Sequence, residues 1–138
     1  RTLSVAEAVI DARAYELDPF GHVNHAVHLN YFEQDRFEAL ARCGFTYDVL
    51  AQRGWAIHVV RIEVDYLSEV LLGDRLRIRR TSMVFLQQAR RDPREGETDS
   101  TLVAEARVVA VWIGADGRPT RIPDEVRDEF IDLEAPTG

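Results

Sequence analysis

The sequence lacks the features that mark several large classes of protein. Its single cysteine, Cys43, excludes a disulfide within the chain and a cysteine-rich zinc site. Its uninterrupted apolar runs are only a few residues long, so no segment is long enough to cross a bilayer. Positive charge is in the minority, since 17 basic residues, all of them arginine, stand against 24 acidic ones. The net charge of −7 argues against a general nucleic-acid binder, which must neutralise phosphates.

Local signals for two common kinds of catalytic site are also absent. The eight glycines are scattered singly, so no glycine-rich loop is available to cradle a phosphate. There is no G-x-S-x-G motif, and the serines before residue 100 lie in or beside predicted strands, which argues against a Ser/His/Asp triad. Cys43 falls on the apolar side of a predicted helix near its end, and we interpret it as a packing residue rather than a nucleophile.

The remaining composition is ordinary for a folded globular protein. Hydrophobic residues make up 46% of the chain and charged residues 30%, which is enough apolar surface to offset chain entropy. A length of 138 residues fits one domain, and no linker, repeat or low-complexity segment divides it. We therefore expect a single domain over residues 1–138, and a cytoplasmic location because nothing in the sequence suggests secretion.

The first half of the chain contains one strand-like and two helical segments. It predicts a strand over residues 3–14, a loop over 15–24, a helix from His25 to about Cys43 and further helical turns over 46–53. Asn24 is a preferred N-cap for the long helix, and Gly44 is a stop signal. At 100° per residue, the apolar side of this helix consists of Leu29, Phe32, Phe37, Leu40 and Cys43.

The second half is dominated by strand-like alternation. It predicts strands over 55–67, 75–81, 83–89 and 102–113, turns at 72–74 and 116–117, a polar loop over 90–100 and a terminal helix over 123–131. Leu76 and Ile78 are expected to point inward, and the pattern leaves open whether 83–89 continues the strand before it. His58 lies on an apolar strand face and is interpreted as a core or interface histidine. One apolar-faced helix before a run of antiparallel strands indicates an α+β fold.

The densest cluster of chemically active side chains lies where the first loop meets the long helix. It comprises Glu16, Asp18, His22, Asn24, His25 and His28. Loops held by a scaffold are where sites concentrate, and a helix start offers free N–H groups and a positive dipole end. A zinc or iron site built from Asp18 and the three histidines is an alternative, but the spacing matches no strong ligand motif. We therefore expect no metal and no cofactor.

Asp18 is the strongest catalytic candidate in this cluster. An aspartate before a proline is commonly turn chemistry, but here a helix start follows about seven residues later. A carboxylate opposite backbone N–H groups can attack a carbonyl, or activate water, while those N–H groups hold the developing oxyanion.

Residues 15–36, YELDPFGHVNHAVHLNYFEQDR, are similar to the hotdog-fold acyl-CoA thioesterases of the 4-hydroxybenzoyl-CoA thioesterase-like family. The shared pattern is an aspartate, then Gly-His-Val-Asn, then an aromatic-Phe-Glu-x-x-Arg stretch. Later segments agree in order and length, and they are Arg-Ile-x-Val-Asp-Tyr-Leu at 61–67, Gly-Asp at 73–74, Leu-Val-Ala-Glu-Ala at 102–106 and Asp-Gly-Arg-Pro-x-x-Ile-Pro at 116–123. The resemblance covers nearly the whole chain.

The resemblance implies a curved antiparallel sheet wrapped round one long helix, in homodimers or homotetramers with active sites at subunit interfaces. It places the catalytic carboxylate at Asp18 and the oxyanion donors at the helix start near His25 and Ala26, with Asn24 shaping the turn. The expected activity is hydrolysis of an acyl-CoA to the free acid and CoA. The further residues expected to contact the substrate are Gly21, His22 and His28.

Three positions depart from the family pattern, which commonly has asparagine at His25, tyrosine at His28 and alanine at Asp35. The first two changes are expected to retune substrate fit or to let His28 hold a water molecule, and Asp35 adds a charge in the middle of the helix. Glu33 and Arg36, three residues apart on this helix, are expected to form a buried ion pair.

A local stretch rich in arginine includes residues 75, 77, 79, 80, 90, 91 and 94. These side chains form either a solvated strand face or a site for the phosphates of CoA, which suit guanidinium groups. Arg90, Arg91 and Arg94 are the first choices for the phosphate site because a long loop can reach the cleft of a neighbouring subunit.

Two alternatives to hydrolysis remain open on the sequence. A hotdog hydratase or dehydratase acting on an acyl thioester usually needs an Asp/His pair, which Asp18 with His22 or His25 supplies. A non-catalytic acyl-CoA-binding module is the other alternative, and the intact Asp18 argues against it.

Overall fold

The computed structural model describes residues 7–80 and 86–128, which form an antiparallel sheet packed on one long helix. The strands are β1 (Ala8–Asp11), β2 (Ala56–Tyr66), β3 (Arg75–Arg80), β4 (Leu86–Arg91), β5 (Thr101–Ile113) and β6 (Pro119–Thr120). The helices are α1 (His25–Arg42) and α2 (Tyr47–Arg53), with a 3-10 turn at Ala14–Glu16. The strand order is β1-β3-β4-β5-β2, and β6 pairs with β5. This arrangement confirms the prediction of an α+β hotdog fold with a curved sheet around one long helix.

Local sequence chemistry sets the boundaries of α1. The side chain of Asn24 accepts a hydrogen bond from the Ala26 N–H at 2.8 Å, and Gly44 follows the helix end with φ +89°, a conformation that costs glycine little. The helix therefore begins and ends within one residue of the prediction. The same chemistry bounds α2, since the Thr46 hydroxyl accepts from the Val49 N–H and Gly54 is left-handed.

The buried face of α1 differs from the predicted one. Phe37 was expected to face the core, but 44% of its surface is exposed. Residue 37 lies about 140° from Phe32 around the helix, so the two side chains cannot share a narrow face. The described buried residues of α1 are His28, Tyr31, Phe32, Asp35, Arg36, Ala39 and Leu40.

The buried ion pair of α1 is also not the predicted one. Glu33 is exposed, so the expected buried pair between Glu33 and Arg36 is wrong. The fully buried carboxylate is Asp35, whose Oδ1 lies 3.5 Å from Nη1 of Arg80 on β3. Gln87 on β4 donates to Asp35 Oδ2 at 2.9 Å and accepts from Arg36 at 3.0 Å. Asp35 is buried because two strands of the sheet supply these partners.

The strand predicted over 75–81 is confirmed over Arg75–Arg80, residue 81 lies outside the described residues, and Leu76 and Ile78 are fully buried. The next strand does not continue it, because β4 pairs with β3 antiparallel. The predicted residues 83–85 lie outside the described residues, and β4 extends to Arg91. The polar loop therefore begins at Asp92 rather than at residue 90.

The long strands β2 and β5 pair from Ala56 opposite Ile113 to Tyr66 opposite Ala104, with a bulge between Val59 and Arg61. A bulge reverses the faces to which later side chains point, so the alternation expected over 55–67 does not hold throughout. His58 is exposed, so it is not a core histidine, and its place at an interface stays a prediction. The hairpin expected at Asp116-Gly117 is confirmed by the pairing of β5 with β6.

The ends of the chain fit the prediction in part. A strand was expected over 3–14, and its described part is β1. Residues 3–6 lie outside the described residues, and residue 14 belongs to the 3-10 turn over 14–16 instead. Residues 124–128 are helical, and the remainder of the helix expected over 123–131 lies outside the described residues.

Candidate active site

Asp18 lies in a short loop that its own carboxylate holds in shape. Its Oδ1 accepts hydrogen bonds from the backbone N–H groups of Phe20 at 2.9 Å and His22 at 3.2 Å. Gly21 has φ +85°, a left-handed conformation that favours glycine, and its N–H donates to the Asp18 carbonyl. Within the described part of the chain, Asp18 Oδ2 has no hydrogen-bond partner, so this oxygen is available for chemistry.

Backbone hydrogen bonds fix this loop to the rest of the fold. Leu17 forms a bridge with Val23, and the Asn24 N–H donates to the Glu16 carbonyl at 2.9 Å. The buried carboxylate of Glu16 accepts from the hydroxyl of Tyr31 on α1 at 2.6 Å. Burial, followed by the hydrogen bond to Glu16, raises the pKa of Tyr31, so this hydroxyl stays protonated and remains the donor. The loop that carries Asp18 is therefore tied to the long helix.

The start of α1 leaves one backbone donor for a ligand. Four N–H groups at a helix start lack partners within the helix. The N–H of Asn24 donates to the Glu16 carbonyl. The N–H of Ala26 donates to the Asn24 side chain, and the N–H of Val27 donates to the Asn24 carbonyl. Among the described residues no acceptor faces the His25 N–H. The expected pair of oxyanion donors at His25 and Ala26 is therefore reduced to His25, because the N-cap occupies Ala26.

Asp18 and the three histidines of the cluster lie together in a cleft of about 320 Å³. Of the cluster singled out in the sequence, Glu16 and Asn24 do not line this cleft. The other wall comes from the end of β2 and the segment after it. The residues lining the cleft are Asp18, His22, Val23, His25, His28, Tyr66, Leu67, Ser68, Glu69 and Val70.

His28 is buried at this cleft, with 4% of its surface exposed. Burial, with a smaller contribution from His25, lowers the pKa of His28 to about 4, so its ring is neutral at neutral pH. The ring packs edge-on against Tyr66 at 5.2 Å between centroids, and its Nδ1 is enclosed with no hydrogen-bond partner. His28 thus contributes a neutral, partly apolar surface rather than a charge.

Sequence reasoning missed two polar side chains of the cleft, Tyr66 and Glu69. The Tyr66 hydroxyl donates to the carbonyl of His25 at 2.7 Å, and Glu69 Oε2 lies 2.8 Å from His22 Nε2. Tyr66 belongs to the strand predicted over 55–67, and Glu69 belongs to a segment with no predicted element. The sequence indicates that both residues lie where a long strand ends and a loop begins. It does not indicate which other loop of the fold faces that strand end.

The three arginines expected to recognise phosphate in the cleft of a neighbouring subunit do not line the cleft of their own chain, and that role stays a prediction. Arg90 is exposed on β4, and Arg91 is buried in an ion pair with Glu97 at 2.5 Å. Arg94 donates to both carboxylate oxygens of Asp74 at 3.0 and 2.7 Å. Two of these three guanidinium groups are therefore held by carboxylates of the same chain.

Neither a metal site nor a membrane-spanning helix is found in the described residues. Over 7–80 and 86–128, no three or more His, Cys, Asp or Glu side chains are grouped so that they could hold a metal ion. Within the same residues, no helix is both long and apolar enough to span a membrane.

Comparison with known proteins relates this chain to a chemistry. Residues 12–130 match the family described as the thioesterase-like superfamily. The chain is 33% identical over 136 residues to the chloroplastic acyl-acyl carrier protein thioesterase ATL3 of Arabidopsis thaliana, covering 91% of this chain and 67% of the relative.

Solved structures agree with the family match. A thioesterase of Thermus thermophilus complexed with coenzyme A is 32% identical, with a TM-score of 0.69 and coverage of 95% of this chain and 96% of that one. A 1,4-dihydroxy-2-naphthoyl-CoA thioesterase from Synechocystis shares the fold, with 19% identity, a TM-score of 0.73 and coverage of 94% and 98%.

Proposed function

Since this chain belongs to the thioesterase-like superfamily and is a thioester hydrolase, we propose that it hydrolyses an acyl-CoA to the free acid and CoA at the cleft around Asp18. The observation that carries the proposal is the pairing of an available carboxylate oxygen, Asp18 Oδ2, with an unoccupied helix-start donor, the His25 N–H, at one cleft. The similarity to a thioesterase complexed with coenzyme A supports CoA as the carrier of the acyl group. The family match favours hydrolysis over the hydratase and the non-catalytic binding module.

The proposed chemistry uses these two groups on opposite sides of the thioester carbonyl. Asp18 Oδ2 attacks the carbonyl carbon, or removes a proton from a water molecule that attacks it. Negative charge then develops on the carbonyl oxygen, where the His25 N–H and the positive end of the α1 dipole stabilise it. The carbon–sulfur bond breaks and CoA leaves as its thiolate.

Replacing Asp18 with asparagine tests this role. Asn keeps the shape and an acceptor for the Phe20 N–H but is neither a nucleophile nor a base, so kcat for acyl-CoA hydrolysis should fall by a factor of about 100 or more. Asp116→Asn is the matched control, because the Asp116 carboxylate accepts from the backbone N–H two residues on in the same way, in the β5–β6 hairpin. Turnover is followed by release of free thiol, with circular dichroism as the fold check. Unchanged kcat in Asp18→Asn would remove Asp18 from the mechanism.

An acyl-carrier-protein thioester is the second candidate substrate. It is favoured by the 33% identity to an acyl-acyl carrier protein thioesterase. The same thiol-release assay, run with one acyl group on CoA and on acyl carrier protein, separates the two, and the carrier with the larger kcat/KM is the substrate class. Short, long and aromatic acyl groups in the same assay define the acyl preference.

We also propose that two copies of the chain associate through β2, as a homodimer or as half of a homotetramer. β2 is an edge of the sheet, and it leaves Val60 61% exposed. A long edge strand with apolar side chains is a template for pairing with another strand. Val60→Arg should convert the assembly to monomers in light scattering, whereas Val9→Arg on the opposite edge strand β1 should not. An unchanged molecular mass for Val60→Arg would rule out this interface.

The cytoplasmic location of the protein stays a prediction.

A further inference from the structure

We propose that His22 is the general base that activates the hydrolytic water, and that Glu69 is the residue that positions it; this rests on the proposed function, with Asp18 as the nucleophile. His22 Nε2 lies 2.8 Å from Glu69 Oε2. Both side chains line the cleft that contains Asp18. A nucleophile, a base and a group that orients the base are the three parts of an acyl-transfer site.

The fold brings His22 and Glu69 together through backbone contacts rather than through the ion pair alone. The Val23 N–H donates to the Val70 carbonyl at 2.8 Å, so the loop before α1 and the segment after β2 run side by side. His22 and Glu69 are the residues immediately before this pair in each segment. Arg94 holds the second segment from behind, with Nη2 at 3.4 Å from the Glu69 carbonyl. The carboxylate is therefore presented to the imidazole by a fixed backbone.

His22 is also tied directly to the proposed nucleophile. Its backbone N–H donates to Asp18 Oδ1 at 3.2 Å, so the imidazole and the Asp18 carboxylate belong to one hydrogen-bonded loop. The contact with Glu69 assigns the N–H of the neutral ring to Nε2, because a carboxylate accepts and does not donate. Nδ1 is then the nitrogen with a lone pair available to accept a proton.

A purely stabilising role does not account for this pair. Both side chains are about half exposed, and exposed ion pairs contribute little to stability. If Asp18 is the nucleophile, in contrast, the reaction requires a second group that can act as a base toward water. Once Asp18 has formed a mixed anhydride with the acyl group, its carboxylate can no longer accept a proton from water.

The proposed reaction has two stages, acylation of Asp18 and hydrolysis of the resulting anhydride. Asp18 forms a carbon–oxygen bond to the acyl carbon, and the carbon–sulfur bond breaks to release the CoA thiolate. Water gives a proton to Nδ1 of His22, and its oxygen forms a bond to the acyl carbon as the anhydride bond to Asp18 breaks. Glu69 stabilises the resulting imidazolium, which gives its proton to solvent, and the released CoA thiolate takes up a proton from solvent. The products are the free acid, CoA and the regenerated enzyme.

The test is rapid-mixing kinetics on His22→Ala. Acylation should proceed, giving a burst of about one thiol per active site, whereas steady-state turnover should fall by a factor of about 100 or more. Added imidazole should restore part of the steady-state rate of His22→Ala and leave the wild type unchanged. Glu69→Gln should lower the steady-state rate with the burst retained, and Glu95→Gln, an exposed glutamate in the loop after β4, should behave as wild type.

Each other outcome is decisive. Wild-type turnover in His22→Ala, the absence of a thiol burst, or the absence of rescue by imidazole in a folded variant would overturn the proposal. If His22→Ala does not fold, His22→Gln is subjected to the burst measurement, because it keeps a polar side chain without a base. Failure of the proposed function is distinct, since there Asp18→Asn would retain full turnover. Asp18-dependent hydrolysis with normal kinetics in His22→Ala would refute the role of His22 alone.

Discussion

Replacing Arg80 with methionine should strongly destabilise the fold, because it leaves the Asp35 carboxylate without its facing cation in the interior. Asp35 is fully buried, only 3% of the Arg80 side chain is exposed, and the two groups are 3.5 Å apart. Methionine fills most of the same volume, so the change removes charge more than packing. After the substitution, Gln87 remains as a hydrogen-bond donor to Asp35, but it carries no charge.

The expected loss is about 3–5 kcal/mol of unfolding free energy near neutral pH, the usual effect of removing one partner from a buried ion pair. For a chain of 138 residues, the typical unfolding entropy converts each kcal/mol into a Tm shift of about 3–4 °C. Arg80→Met should therefore lower Tm by about 10–17 °C. Thermal and urea unfolding, both at one fixed protein concentration, measure this change.

The loss should depend on pH in a defined direction. Burial raises the pKa of Asp35 from its usual 3.8, while Arg80 and Gln87 act in the opposite sense. Without Arg80 the folded-state pKa rises further, so a proton neutralises the buried carboxylate at a higher pH. The destabilisation is then fully present above this raised pKa and shrinks as pH falls through it. Arg80→Met should therefore cost less near pH 5 than near pH 7.

Arg79→Met is the matched control, since Arg79 is the neighbouring residue on β3 and is exposed. Surface substitutions of this kind change stability by about 0.5 kcal/mol or less. Combining Asp35→Asn with Arg80→Met should recover part of the loss, because neither member of this ion pair then leaves an unpaired charge buried. The reasoning is refuted if Arg80→Met costs no more than Arg79→Met, or if the double variant is no more stable than Arg80→Met.

Two further predictions concern the cleft. Because the folded-state pKa of His28 is about 4, below the ordinary 6.5, its contribution to stability is present above pH 6.5 and is lost as pH falls toward 4. Wild-type stability should therefore drop by about 2 kcal/mol from this group between about pH 7.5 and pH 5, and His28→Gln, measured by urea unfolding, should lack that drop. Gly21→Ala and Gly96→Ala both introduce a side chain at φ +85° and should each cost about 1–2 kcal/mol. Only Gly21→Ala should also lower kcat for thiol release, because Gly21 shapes the Asp18 loop; equal activity of the two variants would contradict that role.

The sequence singled out the segment of the candidate site that is contiguous in the chain. Asp18, Gly21 and Asn24 form hydrogen bonds to residues within a few positions, such as the Asx turn of Asp18 and the N-cap of α1. Turn and cap chemistry of this kind is encoded locally. The same holds for the helix bounds, which depend on Asn24 and Gly44.

The incorrect predictions concern residues whose partners are distant in the chain. The Asp35 carboxylate is buried because β3 and β4 supply Arg80 and Gln87, and helical periodicity alone assigned burial to Phe37 instead. The arginine-rich stretch could not be divided into free and paired side chains, because the carboxylate that engages Arg94 lies 20 residues earlier, at Asp74.

The sequence by itself thus determined the α+β class and the long helix, which follow from periodicity and local turn chemistry. The resemblance of residues 15–36 to a known family added the hotdog fold and the segment that carries Asp18. Only the tertiary structure decided that Tyr66 and Glu69 form the opposite wall of the cleft and that Glu69 meets His22. The physical reason is that strand pairing and the Val23–Val70 hydrogen bond bring together segments more than 40 residues apart. A side-chain contact across such a distance leaves no periodic signal in the chain.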